Sequence, residues 1–117
     1  MITKCTQQDR KASGWLLHSS ERMAEAACRN DQERLARARR WQGLIIDVQN
    51  MLPVEYMVVL SIRRYYRGAV QNENWMDEAL DRYRRMSGEE ISRRTFQRRW
   101  NEIVNLTARE ALERKLL

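Results

Sequence analysis

The chain is poor in residues that turn a backbone. One proline, Pro53, and four glycines in 117 residues are too few for the many tight turns of a β-sandwich or barrel. Cysteine is equally scarce. Cys5 and Cys28 stand far apart, and the single histidine, His18, lies in the stretch Trp15-Leu16-Leu17-His18, so the close ligand spacing of a zinc site is not met and no metal is expected. No basic-then-apolar leader with a small-residue cleavage site opens the sequence, and a reducing, cytoplasmic setting is the expectation. Long apolar runs are missing as well. Met57-Val58-Val59-Leu60 is the longest aliphatic stretch, far below the ~18 to 20 residues of a membrane span, so no membrane partner is expected. Neither a glycine-rich phosphate loop nor a paired-carboxylate or nucleophile–histidine arrangement is legible, so an enzyme is not expected, nor a cofactor.

What the chain does contain is helix-forming and basic. Ala, Leu, Glu, Gln and Arg dominate, and these residues lose little on entering a helix. Hydrophobic residues at 43% rule out wholesale disorder, and the length suits one domain, or a small domain with a helical extension. Lys and Arg number 22 against 16 Asp and Glu, a net charge of +6. All but Lys4, Lys11 and Lys115 of those cations are arginine, the cation that makes bidentate contacts to phosphate and guanine. Such a balance suits a protein that meets a polyanion.

Apolar spacing predicts an all-α fold of about five helices and no sheet. The first, from about Gln7 to Arg29, carries Trp15, Leu16, Met23, Ala26 and Ala27, with Gly14 and Ser19-Ser20 marking either a bend or a division in two. Asn30 or Asp31 caps a second, whose inward stripe is Leu35, Ala38, Trp41, Ile45, Val48 and Leu52. Its opposite face bears Arg34, Arg37 and Arg40, solvated and pairing with Glu33 or Asp47. Pro53 fits the first position of a third helix to Arg67, with Val54, Met57, Val58, Leu60, Ile62 and Tyr65 in the core and Gly68 as a left-handed cap. After a loop containing Asn72, Asn74 caps a fourth helix to about Met86, burying Met76, Ala79, Leu80 and Tyr83 and ending at Ser87-Gly88. Ser92 caps a long last helix, from Arg93 to about Arg114, with Phe96, Trp100, Ile103, Leu106 or Thr107, and Ala111 inward.

The segment from Trp75 to Ile103 carries the functional signal: two helices around a short turn, the second opening with a dense basic face. With Phe96, Trp100 and Ile103 inward, Arg93, Arg94, Gln97, Arg98 and Asn101 face out. These residue types read a major groove, Arg on guanine and Gln or Asn on adenine. No acid occurs between Ser92 and Asn101, so Arg93, Arg94, Arg98 and Arg99 at a positive helix end would repel one another without a polyanion. Arginine pairing with Glu89, Glu90 or Glu102 is the alternative use of that face.

The stretch Ser92-Arg93-Arg94-Thr95-Phe96-Gln97-Arg98-Arg99-Trp100 resembles the recognition helix of sigma factor region 4, and Leu52-Pro53 before an apolar helix to Tyr66 is similar to that domain's opening. The arrangement most resembles phage late-gene transcription regulators of the ArpU and RinA type, over roughly residues 52–112. The turn departs from the sigma pattern in its additional Glu89-Glu90-Ile91. The resemblance implies a helix-turn-helix DNA-binding domain over residues 51–117. It also implies base-reading and phosphate-positioning roles for Arg93, Arg94, Gln97 and Arg98, with Arg94 and Gln97 on bases and Arg82 and Arg85 on backbone phosphates. Arg63, Arg64 and Arg67 form a second basic patch, either tracking flanking duplex or solvating a helix end.

The expected function is therefore sequence-specific double-stranded DNA binding by a phage or prophage late-gene activator or antiterminator. Residues 1–50 are left to form a homodimer, bind RNA polymerase or wrap the core. A helical interaction protein gripping an acidic partner, or a DNA-packaging adaptor like a small terminase subunit, is the alternative.

Overall fold

The computed structural model describes residues 6–67 and 74–117. Among the described residues the fold is all-α, with five helices in chain order and no strand. The cap expected at Gly68 and the loop at Asn72 lie outside the described residues. Two compact units are formed, one by Met1–Met51 with Val104–Leu117 and the other by Leu52–Ile103.

The first unit is built on α1 (Gln7–Cys28) and α2 (Gln32–Met51), which pack together. Thr6 starts α1 with a reciprocal capping box: its Oγ1 accepts the Asp9 N–H at 3.1 Å and Asp9 Oδ2 accepts the Thr6 N–H at 3.1 Å. The anticipated bend is at His18, whose φ of −126° and ψ of 24° leave helical geometry. Ala12, Leu16 and Ala26 are buried, whereas Ala27, expected inward, is exposed. Trp15 stacks on the buried Trp41 with centroids 5.3 Å apart and planes 5° from parallel, and the Arg22 guanidinium lies 5.0 Å from the Trp15 ring. Asn30 makes the link in the left-handed region at φ 52°. Asp31 then caps α2, Oδ1 accepting the Arg34 N–H at 3.1 Å.

Along α2 the buried stripe is Ala38, Trp41, Leu44, Ile45 and Val48. It is wider than the spacing of single apolar residues indicates, and it includes Leu44. Arg37 and Arg40 do not pair with Glu33 or Asp47. They donate to the carbonyls of Leu116 at 2.5 Å and Arg114 at 2.6 Å, while Asp47 pairs with Arg114 at 2.8 Å. Carbonyls at and just beyond a helix end have no partner within the helix, which leaves these two open to the guanidinium groups. There the Leu116 N–H donates to Ala111 and the Lys115 N–H to Leu112, a Schellman closure with Lys115 at φ 59° and Leu116 fully buried.

The second unit contains α3 (Val54–Tyr65), α4 (Trp75–Ser87) and the first part of α5 (Arg93–Glu113). Pro53 stands just before α3 rather than in its first turn, and its carbonyl accepts the N–H of Tyr56 and Met57. Val59, Leu60, Ile62, Arg63 and Tyr66 are buried, whereas Val54 and Tyr65, expected inward, are 76% and 62% exposed. This segment is apolar over most of its circumference, so periodicity alone does not choose its inner face. α4 packs on α3 and buries Ala79 and Tyr83, with Met76 and Leu80 half-buried. Gly88 ends α4 at φ 77°, donating to the Arg84 carbonyl at 2.8 Å. A positive φ there is free of the Cβ penalty only for glycine.

Candidate nucleic-acid interface

Ser92 sets the start of α5. Its Oγ accepts the Thr95 N–H at 3.1 Å and its carbonyl accepts the Phe96 N–H at 3.0 Å. Phe96 and Ile103 are fully buried and Trp100 nearly so, which turns Arg93, Arg94, Gln97, Arg98 and Asn101 to solvent on one side of the helix. Gln97 Nε2 donates to Asn101 Oδ1 at 3.0 Å.

The arginines of this stretch are not left to repel one another. Arg93 bonds the Asp77 carboxylate of α4, Arg98 lies 3.8 Å from Glu102, and Arg99 lies 3.5 Å from Glu89. Carboxylates brought in from outside the segment thus supply the compensation that its own sequence lacks. Arg94 alone of the four has no acidic partner among the described residues. Glu102 also accepts the Tyr56 hydroxyl, and that bond, followed by burial and by the negative charge itself, holds the phenol above its ordinary value.

Arg99 faces inward. Its Nη1 donates to the Tyr83 hydroxyl at 2.6 Å, its other amine meets Glu89, and only 14% of its side chain is exposed. Burial lowers its affinity for a proton, but Tyr83 and Glu89 more than offset this and leave the group above its ordinary value. The turn is further tied at Ser87, whose Oγ donates to the Tyr83 carbonyl and accepts the Glu89 N–H at 3.1 Å.

The two arginines assigned to phosphates on α4 are held differently. Arg85 is exposed and pairs with Asp81 at 3.1 Å, an acid shared with Arg84 at 2.9 Å. Arg82 is half-buried, its guanidinium 3.9 Å from the Tyr65 ring centre and its Nε 3.4 Å from the Tyr66 hydroxyl.

Of the second basic patch, Arg63 is not at the surface. Only 9% exposed, it lies between the Trp75 and Trp100 rings, 5.1 and 4.7 Å from their centres, and its Nε and Nη1 have no hydrogen-bond acceptor. Burial holds the pKa of its guanidinium below the ordinary value. Its place with Val59, Ile62 and Tyr66 at helical spacing is the signal that would have put it inside. Arg64 is half-buried and Arg67 exposed, the latter donating to the Arg64 carbonyl at 2.6 Å.

No group of three or more His, Cys, Asp or Glu side chains among the described residues could hold a metal ion, and no described helix is long and apolar enough to cross a membrane. The sequence matches no protein-family model, and neither curated proteins nor solved structures show a significant likeness to it.

Proposed function

We propose that the protein binds double-stranded DNA sequence-specifically and regulates transcription, in the manner of a phage late-gene activator or antiterminator. The observation that carries this reading is the exposed side of α5, where Arg94, Gln97, Arg98 and Asn101 stand together above a buried Phe96, Trp100 and Ile103. Such a face offers guanidinium forks and amides to base edges, on a helix fixed by its own packing. Arg93 at the start of α5 and Arg85 near the end of α4 are both exposed and suit backbone phosphates. RNA polymerase and a second copy of the chain are further partners consistent with a regulator of this type.

Selection from a random duplex pool at moderate salt tests the reading, with an Arg93/Arg94/Arg98 triple-Ala variant alongside. One enriched motif for the native protein, lost in the variant, with affinity falling steeply as salt rises, is the expected result. Absence of any enriched motif overturns it.

A second reading draws on the ion pairs: the exposed Arg93 and Arg98 already pair with the carboxylates of Asp77 and Glu102. An acidic protein surface could replace those partners. Binding would then persist on a carboxylate-rich protein and show no preference among duplexes.

A further inference from the structure

The Gln97–Asn101 bond joins two exposed amides one helical turn apart. A primary amide carries two N–H donors and a carbonyl oxygen with two lone pairs. Their mutual bond uses one Gln97 donor and one Asn101 lone pair, leaving the Gln97 oxygen and the Asn101 N–H groups unused among the described residues. The couple therefore offers one acceptor and one donor on two side chains that their mutual bond holds together before any ligand arrives.

In the major groove, adenine shows the complementary pattern, with a donor at N6 beside an acceptor at N7. Guanine shows two acceptors and would leave the Gln97 oxygen unmatched. Cytosine offers a donor alone, and thymine an acceptor and a methyl group. We propose that Gln97 and Asn101 act as one coupled reader of a single adenine. Arg94, whose guanidinium has no carboxylate partner among the described residues, takes a guanine close by. From Arg94 to Asn101 the helix rises about 10 Å, so the two bases fall within about three base pairs of each other.

This inference rests on the duplex-DNA reading above, and its test separates the two. The full chain and its Gln97→Ala, Asn101→Ala and double variants are each put through the random-duplex selection. Affinities are then measured on the enriched duplex and on copies changed one base pair at a time. The expected result is an adenine position in the native motif whose replacement weakens binding roughly tenfold to a hundredfold. Both single variants lose that discrimination, at that position and no other, and the double variant loses no more than either single. 7-Deazaadenine at the position reproduces the loss for the native protein and leaves the variants unaffected. Equal helix content by circular dichroism shows that the variants are folded. A native motif in which the two substitutions relax different positions, or none, overturns the coupled reader while the DNA-binding reading stands. No motif for the native protein overturns both.

Discussion

Arg99 of α5 donates to the Tyr83 hydroxyl of α4 at 2.6 Å across the turn that joins the two helices, with Glu89 of that turn on its other amine. The bond ties the helix that carries the exposed basic face to the helix before it, so the two should lose stability together. We expect Tyr83→Phe and Arg99→Met each to cost about 1 to 2 kcal/mol, with a double variant costing clearly less than their sum. A double-mutant cycle by urea unfolding measures this, and strict additivity would refute the coupling.

Arg63 is a buried cation held by two indole rings, with two N–H groups lacking acceptors. Each ring contributes about 1 to 2 kcal/mol of attraction, but an unsatisfied buried N–H costs about 1 to 3 kcal/mol. The cost dominates. Arg63→Met keeps the stem and drops the charge, and should raise stability by about 1 kcal/mol. A urea midpoint shifted downward would reverse that balance.

Three positions test the backbone. Gly43 lies inside α2 with no atom close to where a Cβ would stand, so Gly43→Ala should stabilise by about 1 kcal/mol. Gly88 has φ 77°, so Gly88→Ala should destabilise by about 1 kcal/mol. Lys115 holds φ 59° at the end of α5, where Lys115→Gly should stabilise by about 1 kcal/mol. Thermal melts of the three give the signs directly.

Tyr56 makes a pH prediction. Its bond to the Glu102 carboxylate needs the phenol protonated, and the folded phenol titrates above its ordinary value. The stability that it adds is therefore present at neutral pH, and is lost as pH rises through the raised folded value. Tyr56→Phe should melt below the native protein at pH 7, and the gap should close in alkaline solution. A gap unchanged between pH 7 and strongly alkaline buffer would contradict the assignment.

Helix identity was readable because the signals were local. Asp31, Ser92 and Gly88 mark the helix boundaries by side-chain or backbone chemistry that acts within one turn, and Phe96, Trp100 and Ile103 set the rotation of α5 by spacing alone. Where the signal was long-range, the sequence was silent. Asp77 meets Arg93 from a different helix, and Arg37 meets the carbonyl of Leu116 from the other end of the chain. Nor does hydropathy alone place Arg63 inside, because what keeps it there is a pair of aromatic faces, not a lost charge.

The first compact unit takes residues from both ends of the chain, and the boundary lies inside α5, between Ile103 and Val104. During synthesis, all of Leu52–Ile103 is present before the first unit has its last segment. Residues 6–51 must wait, with Trp41, Leu44 and Val48 already made, for Val104, Ala108, Ala111 and Leu116 to leave the ribosome. The bonds from Arg37 and Arg40 wait for the carbonyls of Leu116 and Arg114 to be made. A nascent chain stalled before residue 104 would therefore hold its second unit complete and its first open to proteases and chaperones.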